Sequence, residues 1–258
     1  MPSREPLSDD EIEDALSRIL DSFEEIHGLG SLLDVRGTLR TVFEDNIDKE
    51  SVQIKLADDP RDDHTLGDVL GSLGEAVEQQ HGGDSFLARD LRSFIRLLDM
   101  LAKDYDVALM NPPYGSGGLM PGVVQNYVEE HYDYSPEFYI NFFEVCSRMT
   151  KPNGRIGMLV PRTFMVREMF EEFRDDFLGQ SNGFDFLAEF GIGILDNATV
   201  RTAGTVIRSG GQGRDKGTFI RLYDLEKSKK EQVFVDTISG LDAEIKRLFH
   251  VELDEFSK

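Results

Sequence analysis

Cysteine is almost absent: one thiol, Cys146, stands in 258 residues. A lone cysteine excludes an intramolecular disulfide and a cysteine-based zinc site, and it suits a reducing interior. The five histidines, His27, His64, His81, His131 and His250, lack paired ligand spacing, so neither a metal partner nor metal catalysis is expected. No apolar run approaches the roughly 20 residues needed to span a bilayer, and Met1 to Asp10 is acidic where a signal peptide would be basic. A cytoplasmic protein without a membrane partner is therefore expected. Positive charge is scarce as well, with 28 Lys and Arg against 49 Asp and Glu and a net charge of -21. That balance ordinarily argues against a polyanionic partner, because DNA affinity rests on Lys and Arg displacing counterions from phosphates.

The acidic residues are nevertheless dispersed, at Ser8 to Asp14, Asp58 to Asp63 and Glu171 to Asp176. Dispersal reads as a halophilic surface rather than as an acidic interaction tail. In molar salt Coulomb forces are screened within about 3 Å. Such a surface would repel DNA far less than its formal charge suggests.

The 40 % hydrophobic content supports one substantial core or a core plus an appended piece. Ile12, Leu16, Ile19, Leu20 and Phe23 fall at helical spacing over 9 to 27, with Ser8 placed to cap the helix. Val52, Ile54 and Leu56 alternate as a half-buried strand would, and 58 to 63, with Pro60, reads as a loop. Helical spacing returns over 84 to 103. Residues 1 to 103 thus form a mostly helical lead-in.

A strand follows at once. Val107-Ala108-Leu109-Met110 is a short continuous apolar run that suits a strand covered on both faces of a parallel sheet. A helix is predicted over about 136 to 149, then a Lys151-Pro152-Asn153-Gly154 turn and a second buried strand, Ile156 to Val160, stopped by Pro161. This is a βαβ unit, from which a parallel sheet with right-handed crossovers follows. A further helix over 164 to 178 leads to Phe184 to Phe190, Gly204 to Arg208 and Thr218 to Leu222, read as paired strands. Residues 104 to 225 form the central domain and 226 to 258 a helical tail. The fold class is α/β.

Asn111-Pro112-Pro113-Tyr114 stands where the first buried strand ends, the place where open α/β sheets bind ligands. Two consecutive prolines fix the backbone and remove two N–H donors, leaving carbonyl oxygens and the Asn111 amide oxygen as a rigid cluster of acceptors. An exocyclic amino group needs such acceptors if its nitrogen is to attack an electrophilic methyl group, since they hold its hydrogens and stabilise the positive charge that develops. Tyr114 offers a flat face for a base taken out of the duplex, a contact worth roughly 1 to 3 kcal/mol. With proline near 5 % of residues, a string of this kind arises by chance in about one chain per hundred of this size. Its position after an apolar strand lowers that further.

The stretch from Asp106 to Tyr114 resembles motif IV of the N6-adenine DNA methyltransferases. Pro136 to Glu144 resembles their next, Asp-Leu-Tyr-x-x-Phe-like helix, and Lys151 to Phe164 is similar to their "KPGG, apolar strand, Pro, Ser/Trp" segment. Phe190 to Ala203 resembles the stretch that follows in the large type IIG and BREX phage-defence methylases, and Phe23 to Val35 the region those enzymes place just before motif IV. Glu137-Phe138 and Thr163-Phe164 depart from the usual Asp-Leu and Ser-Trp. The resemblance implies a partial Rossmann-like class I methyltransferase sheet, DNA as partner, and S-adenosyl-L-methionine as methyl donor. It implies adenine-N6 methylation of a flipped base, with Asn111, Pro112, Pro113 and Tyr114 catalytic and Asp106 at the donor. Protein-glutamine and RNA methyltransferases with similar Asn-Pro-Pro-Tyr motifs, and an inactive remnant that only binds DNA or a partner, are the alternative readings.

The donor in this family lies over a Gly-rich turn after the first strand, and no such string precedes Asn111. Gly28-x-Gly30, Gly82-Gly83 and Gly191-x-Gly193 each lack the right context. The chain is expected to begin after the donor-binding motifs, and a second polypeptide is expected to supply the absent half. Without neighbours the Val107 strand would show an unpaired apolar edge. Gly115, Ser116, Gly117 and Gly118 read as a mobile loop against DNA. Arg201, Arg208, Arg214, Lys216, Arg221, Lys227, Lys229 and Lys230 read as a phosphate-contacting face.

Overall fold

The computed structural model describes residues 17–21, 32, 34–44, 70–71, 73–75, 86–115, 121–134, 137–195, 199–210, 216–240 and 247–252. The chain divides into two compact units, Met1–Lys103 and Asp104–Lys258. In the first, helix α1 is Val35–Glu44 and helix α2 is Phe86–Ala102. Asp34 caps α1 through its carboxylate, which accepts the Gly37 N–H at 3.0 Å. Leu39, Ile95 and Leu98 are buried, and Arg36 Nε donates to the Ala102 carbonyl at 2.7 Å. Of the helix expected over 9 to 27, residues 17–21 are described and are helical. The strand expected over 52 to 56 lies outside the described residues.

The second unit is built on a six-stranded sheet. Its strands are β1 (Tyr105–Met110), β2 (Thr150–Pro161), β3 (Gly183–Gly191), β4 (Thr202–Arg208), β5 (Lys216–Arg221) and β6 (Leu248–Glu252), in the order β1-β2-β4-β3-β5-β6. The helices are α3 (Gly122–His131), α4 (Phe138–Met149) and α5 (Lys227–Ile238). β1 is parallel to β2, as the βαβ pattern predicts, and β3 is parallel to β5. β4, however, runs antiparallel to both β2 and β3, so the sheet is mixed where a parallel one was expected. The turn after β3 is too short for a crossover helix, and a short return can only place the next strand antiparallel.

Two more expectations need correction. The predicted 151 to 154 turn lies inside β2, where Asn153 takes a left-handed conformation (φ 66°) and its N–H donates to Ser209 O at 2.7 Å. Gly154 follows because β1 passes over it: a Cβ there would lie 2.8 Å from the Asp106 carbonyl oxygen. The helix predicted over 164 to 178 is replaced by 3₁₀ turns at Arg162–Met165 and Glu168–Phe170 and a π-helix at Phe173–Ser181. A continuous α-helix, at about 100° per residue, would aim Phe164 roughly 120° away from Phe170, yet both are fully buried. Breaking the helix lets Phe164, Phe173 and Phe177 all pack on Phe143 of α4. The tail, too, is not wholly helical. β6 follows α5 because its residues pair with β5.

α4 covers one face of β1 and β2, with Cys146 Sγ 3.9 Å from Met158 Sδ. Ile156, Met158 and Val160 alternate toward that face and are buried. α5 lies on the opposite face over β3, its Phe234 ring packing on Phe186 and Phe190. β1 is the terminal strand, and its apolar side chains are open: Val107 is 54 % and Leu109 79 % exposed.

Candidate active site

The parallel strands β1, β2, β3 and β5 bring their carboxyl ends to one edge of the sheet. Asn111 is exposed immediately beyond β1, Pro112 is buried beneath it, Pro113 is exposed, and Tyr114 is half-buried. The Tyr114 hydroxyl donates to the Leu159 carbonyl of β2 at 3.0 Å and lies 3.3 Å from Asn111 Oδ1. The turn after β1 is therefore fastened to the next strand, which fixes the plane of the tyrosine ring. Burial pushes the Tyr114 phenol up to about 12, so it remains a protonated donor at neutral pH.

α4 forms the neighbouring wall. The Phe138 N–H donates to Gly115 O at 3.2 Å, and a Cβ on Gly115 would stand 3.3 Å from the Phe138 ring. Burial raises the Glu137 carboxyl, and the nearby Arg167 guanidinium partly offsets it. The Tyr139 and Thr163 hydroxyls are hydrogen-bonded at 3.0 Å, which joins α4 to the turn leaving β2. Arg174, buried in the π-helix, donates to the carbonyls of Phe164 (3.0 Å) and Arg167 (2.8 Å) and braces that turn from behind. Phe164, considered from the sequence as a flank of a base pocket, is fully buried among Phe143 and Phe173 and belongs to the core.

The other candidates separate. Arg201 reaches the same edge as Asn111: it is exposed, and its carbonyl accepts the Arg162 N–H at 2.9 Å. Arg162 is in turn ion-paired with Glu189 of β3. Arg208 is at the opposite edge, bonded to Asp185 at 2.5 Å, where Arg155 also meets Asp185 at 3.1 Å. Asp106 is likewise at the amino end of β1, 3.0 Å from Lys151, some five residues or roughly 17 Å of strand from Asn111. Ser116, Gly117, Gly118 and Arg214 lie outside the described residues. The remaining cations do not share a face: Lys216 pairs with Glu252 and Lys229 with Glu226, and the Arg221 guanidinium lies over the Phe249 ring. Lys230 is buried, its ammonium donating to Phe190 O at 2.6 Å and Ile192 O at 2.7 Å.

Three features escaped the sequence reading: the Leu159 carbonyl that anchors Tyr114, the Tyr139–Thr163 link, and an open groove of about 410 Å³ that begins at Asn111. Backbone acceptors leave no mark in side-chain identity. Only the Tyr139 and Thr163 positions, both inside motif-like segments, carried a signal. Among the described residues no group of His, Cys, Asp or Glu could hold a metal, and no helix is long and apolar enough to cross a membrane. The described residues also show no fit to the methyl donor: Asp106, its one candidate contact, is engaged by Lys151 at the wrong end of β1.

The chain matches the family model described as Eco57I restriction-modification methylase over residues 41–190, more than half its length. It is similar to adenine-specific methyltransferase PglX of Lacticaseibacillus casei (strain Zhang), 25 % identical over 221 residues, which are 84 % of this chain and 17 % of that protein. It is also similar to adenine-specific methyltransferase BrxX of Escherichia coli O9:H4 (strain HS), 26 % identical over 148 residues, 56 % of this chain and 12 % of that one. The chain thus spans less than a fifth of the length of these curated relatives. Among solved structures, the type I restriction-modification methyltransferase subunit from Streptococcus thermophilus aligns over 72 % of this chain and 49 % of its own, with 15 % identity and a TM-score of 0.44.

Proposed function

Since this chain belongs to the Eco57I restriction-modification methylase family, we propose that it carries the base-binding half of an adenine-N6 DNA methyltransferase serving restriction-modification or phage defence. The observation that supports this most is the geometry of Asn111: an exposed amide at the carboxyl end of β1, on a proline-stiffened turn that Tyr114 ties to β2 at 3.0 Å. In this reading an adenine leaves the stack and enters beside Tyr114, whose ring packs on its face. Its two amino hydrogens are accepted by Asn111 Oδ1 and the Pro112 carbonyl. The amide oxygen has two lone pairs, so proximity to the Tyr114 hydroxyl leaves one for the substrate. Holding both hydrogens points the nitrogen lone pair away from the turn and favours positive charge on that nitrogen. S-adenosyl-L-methionine, when bound, supplies the electrophilic methyl group. Arg201 at the same edge is available to a backbone phosphate, and Arg208, on the far edge, is not part of this surface.

We assign the donor-holding residues to a polypeptide segment that completes the sheet next to β1. One experiment tests the function: the chain, with and without the product of the adjacent gene, is incubated with labelled donor and with DNA, RNA or protein as acceptor. Label is expected in DNA. Asn111→Ala should lower incorporation by a hundredfold or more, the order seen when a preorganised polar group at a reacting centre is removed. Label in RNA or in glutamine side chains would overturn the DNA assignment, and label unaffected by the substitution would overturn the site.

A further inference from the structure

β1 ends the sheet, yet it is not built as an edge. Protective edge strands carry charge, proline or a twist away from solvent, whereas β1 exposes Val107 and Leu109. Beside it, on the face away from α4, the sheet is uncovered. The open groove runs from Asn111 and Leu109 across Gly157 and Leu159 of β2 and Gly204 and Val206 of β4, and stops at Phe190 and Phe234 where α5 begins. β1, β2 and β4 together span about 10 Å between the outer strand axes, the width of one helix. Two glycines stand in mid-strand on this face, where glycine weakens a strand and commonly marks a close approach by another backbone. Leu109 overhangs one of them and Phe190 the other: a Cβ at Gly157 would fall 2.5 Å from Leu109 Cδ2, and at Gly204 2.9 Å from Phe190 Cε2.

We propose that the outer edge of β1 and the groove are one docking surface for a helix followed by a strand, contributed by a polypeptide segment outside this chain. The helix crosses the groove, and the strand pairs parallel to β1. Order and direction come from crossover handedness. In a right-handed βαβ unit the step from β1 to β2 puts α4 on one face, so a right-handed step in the other direction uses the opposite face. A helix on that face, travelling away from β4, arrives at the free edge of β1 and enters a strand parallel to it. The occupant is a separate segment because the curated relatives carry more than four-fifths of their length outside the matched stretch. A second copy related by a two-fold axis would pair β1 antiparallel to itself and supply no helix to the groove. The inference rests on the reading of Asn111 as the acceptor site, since the added strand would end beside it.

The test uses the full chain and the segments of the Lacticaseibacillus casei relative that flank its matched stretch, expressed separately. The readouts are binding by sedimentation and hydrogen exchange at residues 107 to 110. One segment is expected to bind and to slow exchange in β1 at least tenfold. Leu109→Lys, on an exposed side chain that folding does not need, should weaken binding at least tenfold, as should Val206→Lys on the groove floor. Protection of β1 in the chain alone, dimerisation that Leu109→Lys abolishes, or failure of every segment to protect β1 would each overturn the proposal. Neither readout needs donor or DNA. A docked complex that methylates nothing would therefore count against the proposed function alone.

Discussion

At the scale of single residues, the turn after β1 separates two jobs of Tyr114. Its ring offers the stacking face, and its hydroxyl, held on the Leu159 carbonyl, sets the angle of that face. Tyr114→Phe keeps the ring and loses the anchor, so methyl transfer should fall only a few-fold. Tyr114→Ala loses the stack as well, worth roughly 1 to 3 kcal/mol, and should fall by about ten- to a hundredfold. Initial rates on the same DNA check the order of the two. Glu144 shows a different kind of dependence. It is buried at 4 % exposure, accepts the N–H groups of Asp133 (3.0 Å) and Tyr134 (3.4 Å), and pairs with Arg148 at 3.6 Å. Burial raises its carboxyl, with those bonds and Arg148 partly offsetting the shift. A carboxyl raised in the folded state binds its proton more tightly there than in the unfolded chain. Its contribution to stability is therefore greatest at low pH and declines as pH rises from 4.5 through the raised value. Glu144→Gln removes that decline, so the difference in melting temperature between the variant and the parent should change across this window. A constant difference would show that the carboxyl does not titrate differently on folding.

At the scale of elements, the legible parts were those whose pattern is local. β1, α4 and the core of β2 announce themselves as a short apolar run, a helical spacing and a second run stopped by Pro161, and each lies within a few residues of its expected place. The antiparallel insertion of β4 between β2 and β3 was not legible, because Gly204 to Arg208 reads as a strand without disclosing its partners. The stretch after β2 misled for a physical reason: Phe170, Phe173 and Phe177 do share a helical face, but Phe164 does not, and burying all four required two 3₁₀ turns and a π-helix. For the site, Asn111 to Tyr114 was legible as a string. Arg208 and Asp106 were placed by sequence proximity alone, and the strands carry both to the wrong edge. Arg174 makes the irregular segment testable. Its guanidinium holds the carbonyls of Phe164 and Arg167, and unsatisfied buried groups cost about 1 to 3 kcal/mol each. Arg174→Met should lower stability by about 2 to 4 kcal/mol in denaturant unfolding. A change below about 0.5 kcal/mol would mean that the turn does not depend on this brace.

At the scale of the whole molecule, a net charge of -21 must be held on one surface. Self-repulsion destabilises the compact state and salt screens it, so the melting temperature should rise steadily between about 0.1 and 2 M potassium chloride. A flat or falling curve would contradict the reading of the surface as salt-adapted. The same screening makes DNA approachable for so acidic a protein, with Arg201 on the edge that carries Asn111. What unites the three scales is the end of β1, where a stiff acceptor turn, a fastened aromatic ring and an apolar edge meet. The most direct test is nucleoside analysis by mass spectrometry of DNA treated with donor and the completed enzyme. The expected result is N6-methyladenine, retained with Tyr114→Phe and lost with Asn111→Ala. Methylation on cytosine, or N6-methyladenine undiminished by Asn111→Ala, would contradict the account.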